Sequence, residues 1–209
     1  MKKRIVIIAL VVALLATCFA GTFAYLTDSE SQKNTFTAGN VYITLDEAAV
    51  VKDDATGNWV KDGNNRVTAV KDQVNGNSYH LFPGTTAVKD PTITVDEESE
   101  DAWVAAKITF SGYYAYELLS GGVLGTNAVT EVKDGNVVYV YVNAIQSADA
   151  SPIVLFEKLT VPAEWNNTEM AAINGMTIDV EAFAVQANGF ATCQAAMAAA
   201  FHDVFPANN

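Results

Sequence analysis

Apolar and polar positions alternate with period two through most of the chain beyond residue 40. Val41, Ile43 and Leu45 alternate with Tyr42 and Thr44, and Ile93 and Val95 with Thr92 and Thr94. Val104, Ala106, Ile108 and Phe110 alternate with Ala105, Lys107 and Thr109. The run Val137–Val142 (VVYVYV) is β-branched and aromatic throughout, and Ile153–Val161 and Thr177–Gln186 complete the set. Period two carried by Val, Ile, Thr, Tyr and Phe predicts strands.

Turn residues punctuate these runs. The tetrapeptide KDGN occurs at Lys61–Asn64 and again at Lys133–Asn136. Asp-Gly between alternating runs predicts a hairpin, because a two-residue connection needs residues that tolerate positive φ. The stretch 51–79 therefore reads as a polar, hairpin-rich excursion. Pro83-Gly84 and Asp90-Pro91 bracket a tight loop before the next strand. One helix is predicted near the end. Phe190, Cys193, Met197, Phe201 and Val204 fall on one stripe of an alanine-rich segment, with Thr192 placed to cap it. Such a helix would cover a sheet edge or one end of a sandwich. The expected fold is all-β: a jelly-roll-type antiparallel β-sandwich with a short peripheral C-terminal helix.

The first residues have a different pattern. Lys2, Lys3 and Arg4 precede an apolar run, Ile5–Leu15. That run is short of the ~20 residues of a bilayer-spanning helix. Thr22-Phe23-Ala24 puts small residues where a signal peptidase reads them, so residues 1–24 are expected to be a signal peptide cut between Ala24 and Tyr25. Ala20-Gly21 is the second choice of cut site. An uncleaved anchor helix, or lipidation at Cys18, are the alternatives.

Charge and cysteine content narrow the function classes. The leader carries three of the 12 basic residues and none of the 24 acidic ones, so the processed chain has a net charge of −15. A surface that acidic argues against nucleic-acid binding and against holding an anionic membrane through bulk charge. Beyond the leader only Cys193 remains, so no internal disulfide can form. His80 and His202 are the two histidines, too few and too far apart in sequence for a His-Glu-x-x-His zinc helix. No Gly-x-Ser-x-Gly elbow is present, and Cys193 and His202 lie about nine residues apart on the predicted helix, on roughly opposite sides. No catalytic residue is assigned, and the chain is read as a non-enzyme.

The stretch Gly21–Glu47, GTFAYLTDSESQKNTFTAGNVYITLDE, resembles the start of the TasA/camelysin family of secreted proteins processed by the signal peptidase SipW. The matching features are Ala24 at the cut, Tyr25, Asp28, the NTFTAG of Asn34–Gly39, and the short alternating strand Val41–Leu45. LFPGTTAVKDPTITV (Leu81–Val95) and IDVEAFAVQANGF (Ile178–Phe190) resemble later parts of the same family. The resemblance implies a secreted structural subunit of extracellular fibres, in biofilm matrix or on a cell or spore surface. In such fibres the N-terminal strand of one subunit completes the sheet of the next. Domains follow: a signal peptide to residue 24, an arm and donor-strand candidate over 25–40, and a sandwich domain over 41–209. Within the arm Tyr25 and Leu26 are the apolar anchors, Thr27–Lys33 the polar hinge, Phe36 the seat and Gly39 the bend, while Val41, Ile43 and Leu45 enter the core. The expected partners are other copies of the chain added head to tail, a SipW-type peptidase and an accessory matrix protein, with no nucleic acid and no stable membrane anchor after cleavage.

Two further readings come from the residues alone. Asp96, Glu97, Glu98 and Glu100, with Asp101, form a dense acidic loop, and Asp53, Asp54 and Asp62 a second acidic group. No cofactor is expected; calcium is the one cation such loops would suit. Trp59, Trp103, Trp165 and the exposed-looking GYYAYE stretch (Tyr113, Tyr114, Tyr116) could line a carbohydrate face. That makes a non-polymerising secreted carbohydrate- or surface-binding module the alternative function.

Overall fold

A computed structural model describes residues 40–68 and 77–206, all within the compact unit Gly39–Asn209. Eleven strands are present among the described residues: β1 (Ile43–Lys52), β2 (Trp59–Thr68), β3 (Thr86–Val88), β4 (Thr92–Val95), β5 (Ala102–Ser111), β6 (Leu119–Ser120), β7 (Val129–Asp134), β8 (Val137–Val142), β9 (Ile153–Val154), β10 (Lys158–Thr160) and β11 (Thr177–Gln186). Two helices accompany them, α1 (Asn167–Ala172) and α2 (Cys193–Ala200). The strands form two sheets, one ordered β6-β10-β3-β2-β1-β4-β9 and the other β11-β5-β8-β7. The expected all-β sandwich with a C-terminal helix is what the chain forms. One contact departs from the antiparallel rule, a single parallel pairing of Trp59 with Ala87 between β2 and β3.

Alternation sorts the side chains into layers. Val104, Ala106, Ile108 and Phe110 of β5 and Val138, Val140 and Val142 of β8 face inward, where they meet Ile93, Val95, Leu155 and Phe156. Ile43 and Leu45 pack against this core, as expected. Val41 precedes β1 and is half-buried. The other face of the four-stranded sheet carries Trp103, Ala105 and Tyr141, over which α2 lays Cys193, Ala196 and Met197, with Phe205 just beyond it. The helix thus covers a sheet face, not an edge or an end. The reason is that β5 and β8 are apolar on both faces, and the second face needs a lid. Thr192 caps α2, its hydroxyl accepting from Ala195 N–H (3.2 Å).

Three local expectations are corrected. The first KDGN does not end a hairpin. Ala48 pairs with Arg66 and Val50 with Lys61, so Asp62–Asn65 bulge out of β2 opposite Ala49 alone. The hairpin tip lies earlier, over 53–58, where Asp53 N–H donates to Asn58 O (2.8 Å). The second KDGN does turn the chain, with Gly135 (φ 55°) and Asn136 between Asp134 and its partner Val137. Ile153–Val161 is two short strands toward opposite sides of the large sheet, β9 at one margin and β10 next to β6 at the other. The loop between Pro83 and Pro91 contains β3. Gly122 (φ 68°) lies so close to β9 that a Cβ there would stand 2.5 Å from Val154 O.

Candidate functional site

Assembly by strand addition needs a sheet edge with unpaired backbone groups and apolar side chains facing inward. The margins of the large sheet, β6 and β9, are two residues long each. The small sheet has two longer edges, β7 and β11.

The β11 edge is ten residues long and pairs only with β5 among the described residues, from Thr177↔Ser111 to Gln186↔Ala102. Ala187 N–H donates to Asp101 O (2.8 Å) in continuation of that register. Antiparallel pairs alternate between bonded and non-bonded positions. The alternation therefore turns the N–H and C=O groups of Ile178, Val180, Ala182, Ala184 and Gln186 away from β5. Phe110, the partner of Ile178, confirms the phase by donating toward the other side, to Asn136 O (2.9 Å). The first four of these five residues also point their side chains inward, where they pack half-buried against the main core beside Ile43 and Leu45. Outward-facing Asp179 and Glu181 keep the other face wet, and Glu181 accepts from Lys107 Nζ (3.1 Å).

The β7 edge is built differently. Asn143 N–H donates to Ala128 O (2.9 Å), so the alternation directs the backbone of Val129, Glu131 and Lys133 outward. Here the inward side chains include two charges. Glu131 accepts from Tyr116 OH and from Gly125 N–H, and Lys133 Nζ stands 3.3 Å from the centre of the Tyr116 ring. Inward charges on an edge strand oppose the docking of another strand. Burial, and then the hydrogen bond to Glu131, push the Tyr116 phenol pKa up, which keeps this tie intact at neutral pH.

The sequence-predicted assembly residues divide at the edge of the described chain. Ala24, Tyr25, Leu26, Phe36 and Gly39 lie outside the described residues. Ile43 opens β1 and is paired within its own sheet with Val95. The acidic loop is folded back on this start: Asp96 N–H donates to Tyr42 O (3.0 Å) and Glu100 N–H to Asn40 O (3.0 Å). The Asp96 carboxylate accepts from the Thr44 hydroxyl (3.0 Å), while Glu97, Glu98 and Glu100 are exposed. Asp53 holds its own turn, and the Thr56 hydroxyl lowers its pKa first of all. Among the described residues no three His, Cys, Asp or Glu side chains are grouped to hold a metal ion.

The remaining candidates are placed as follows. Cys193 is buried, its thiol donating to Val104 O (3.1 Å), and burial pushes its pKa up to about 12. His202 is on the surface beside Asp203. The aromatic residues do not share one face. Trp59 packs edge-on against Tyr79, Trp103 lies under α2 with its indole N–H on Phe190 O, and Trp165 packs against Tyr113. The GYYAYE stretch is a correction: Tyr113, Tyr114 and Tyr116 are half-buried, and Tyr114 is wedged between Phe110 and Tyr116.

Residues 1–63 match the family model described as camelysin metallo-endopeptidase. The matched stretch ends in the bulge of β2 and supports the TasA/camelysin resemblance read from the opening residues. No curated protein and no solved structure matches the chain. No helix among the described residues is long and apolar enough to cross a membrane.

Sequence reasoning identified Thr177–Gln186 as a strand but not as the exposed edge. Sheet order is set by long-range pairing, and nothing local in β11 announces which side stays unpaired. A charge network around Asp90 and Glu47 was also missed. Asp90, 4% exposed, accepts from Ala48 N–H (2.7 Å) and Lys61 Nζ (2.8 Å), with Arg66 at 3.5 Å. Burial alone would raise its pKa, but these donors and the two positive charges outweigh it, and the net shift is down. The signal was present in part, since Asp90 precedes Pro91, where the β1–β4 ladder ends at Asp46↔Thr92 and Ala48 N–H needs another acceptor.

Proposed function

We propose that the chain is a secreted structural subunit of extracellular fibres, joined by donation of its N-terminal arm to the next copy. The observation that carries this reading is the β11 edge, unpaired beyond β5 among the described residues, with five outward backbone positions above a row of half-buried apolar side chains. The other long edge is closed by charge. A short apolar-then-polar arm such as Tyr25–Gly39 is suited to β11: its main chain would bond the outward groups, and Tyr25 and Leu26 would fill the space beside Val180 and Ala182. Addition of this kind is heterologous and does not close, so it propagates as a filament. A jelly-roll-type connectivity, processing by a SipW-type peptidase, an accessory matrix protein and location in matrix or on a cell surface belong to the same proposal and are supported by the match over the first 63 residues.

The word endopeptidase in the matched family's description is not carried over. The reading is non-enzymatic: the lone thiol beyond the leader is buried and protonated, and no residue is assigned to catalysis. The test is electron microscopy of the processed protein beginning at Tyr25, beside a variant lacking Tyr25–Lys33. Filaments are expected from the first and folded monomers from the second. Filaments from the truncated chain, or its failure to fold, would refute arm donation. Persistent monomers of the complete processed chain would refute the subunit reading.

A further inference from the structure

Glu47 lies in β1, 8% exposed, and its carboxylate holds two other side chains at once. Lys89 Nζ donates to Oε2 at 2.7 Å, with the two side chains only 13% and 10% exposed. Asn77 Nδ2 donates to Oε1 at 3.0 Å and to Ala48 O at 2.8 Å. The amide oxygen of Asn77 accepts from Val50 N–H (3.3 Å), a donor placed at the bulge. Tyr79, whose hydroxyl bonds Val88 O (2.9 Å), stands half-buried nearby, and Trp59 packs edge-on against it. A primary amine, a carboxamide and a bridging carboxylate are thus collected in one water-poor place between three segments of chain.

That arrangement has a use beyond an ion pair. A carboxylate between an amine and an amide can take a proton from one and return it to the other. Holding the amine and the amide on the two oxygens of one carboxylate raises the effective concentration that an amine otherwise lacks toward so unreactive a group. We propose that Lys89 and Asn77 are joined by an intramolecular isopeptide bond formed with Glu47 as the proton carrier.

The step balances without an outside reagent. The Lys89 ammonium gives a proton to Glu47, and the neutral amine attacks Asn77 Cγ. A C–N bond forms, and the developing oxyanion is met by Val50 N–H. Glu47 passes the proton to Nδ2, the Cγ–Nδ2 bond breaks, and ammonia leaves with the second proton as ammonium. Glu47 ends as the carboxylate it began as. The product ties residue 77 to the segment between β3 and β4 beside the bulge, a covalent clasp suited to a subunit that carries tension. The inference does not depend on the fibre reading, and its test does not involve assembly.

The test is mass spectrometry of the full processed chain, purified and denatured. The expected mass is lower than the sequence by one ammonia. No Lys or Arg lies between Lys71 and Lys89, nor between Lys89 and Lys107, so trypsin would leave one uncut peptide spanning 72–107. Chymotrypsin cutting after Tyr79 would then fail to separate its two halves. Glu47→Gln and Lys89→Arg are expected to restore the full mass. An unmodified wild-type mass with normal cleavage after Lys89 overturns the proposal. So does an ammonia loss that survives in Lys89→Arg, which would place it at a cyclised Asn-Gly step such as Asn174-Gly175. The wild-type peptide map decides the matter even where a variant does not fold.

Discussion

Placing a lysine at Val180 should abolish assembly while leaving the subunit folded. The inward row of β11 at 178, 180, 182 and 184 is half-buried in the isolated subunit. Val180 therefore has only part of its burial energy at stake, about 1 kcal/mol, and a lysine there can send its ammonium out past the open edge. An added strand changes this. Five residues offer outward N–H and C=O groups, worth about 0.5–1.5 kcal/mol net per bond, or roughly 5–15 kcal/mol for a full ladder. Association itself costs about 4–15 kcal/mol, so the ladder alone roughly breaks even and the apolar row decides. Under the added strand the ammonium has no exit and no partner, at a cost of several kcal/mol. Taking about 4 kcal/mol, the equilibrium for subunit addition falls nearly a thousandfold. The assay is pelleting and electron microscopy over a concentration series, with circular dichroism and thermal melting to establish that the monomer is folded. Thr177→Lys adds the same charge on the solvent face of the same strand and should assemble as the unaltered chain does. Filaments of Val180→Lys at wild-type concentrations, from folded subunits, would sink the assignment of β11 as the receiving edge.

Asp90→Ala should lower stability by about 2–3 kcal/mol in chemical denaturation, because Ala48 N–H loses its acceptor while Lys61, 55% exposed, simply hydrates. Asp90→Asn keeps an acceptor and should cost clearly less; equal losses from the two would show that the charge, not the acceptor, matters. Because the folded pKa of Asp90 is depressed, its contribution is fully present above the unfolded value of about 3.9 and is lost as pH falls through the folded value, so the destabilisation by Asp90→Ala should shrink in melts below about pH 4. Cys193 should resist iodoacetamide at pH 8 in the folded chain and react at once in denaturant; rapid native labelling would contradict its burial and raised pKa. Phe205→Ala should cost about 3–5 kcal/mol, since the ring is 1% exposed and packs at 5.0–5.6 Å from Phe183, Tyr139 and Tyr141; a loss below ~1 kcal/mol would mean that α2 is not fastened through it.

Periodicity was a good guide wherever a strand was long and paired on at least one full side. Val137–Val142 and Thr177–Gln186 were legible residue for residue, because local patterning and tertiary placement agree there; the Thr192-capped helix was legible in its start and its apolar stripe, but it ends at Ala200, short of the Phe201, His202 and Val204 placed on it. The second helix was missed although Asn166 and Glu169 form a reciprocal capping box, with Asn166 N–H donating to the Glu169 carboxylate at 2.9 Å. Its six residues bury nothing fully, so no apolar stripe marks it. The open margin at β11 was illegible for a different reason. β11 and β8 read alike as strands, yet one is the margin of a sheet and the other is central. The Asn77–Glu47–Lys89 group was hidden by sequence separation: its members come from three segments brought together where the β1–β4 ladder ends and the β3–β4 turn begins.

The repeated KDGN shows how pairing, rather than the turn residues, decides what a turn becomes. At Lys133–Asn136 the register of β7 and β8 runs unbroken to Asp134↔Val137, and the chain has nowhere to go but back. At Lys61–Asn64 pairing resumes beyond the turn, with Arg66 opposite Ala48. The turn is therefore expelled as a bulge, with Gly63 at φ 57° and open space where a Cβ would stand. On β1 the N–H groups of Ala48 and Val50 face away from β2, past the last β1–β4 pair Asp46↔Thr92, and each takes a side-chain acceptor, Asp90 for one and Asn77 for the other. Those two acceptors draw in Lys61, Arg66, Glu47 and Lys89. The end of the β1–β4 ladder is thus where the charge network, and the amine–carboxylate–amide group within it, forms. Replacing both acceptors, Asp90→Ala with Asn77→Ala, should disperse both. It should do so without altering the β11 edge, which belongs to the other sheet. The two features can therefore be tested separately in one protein.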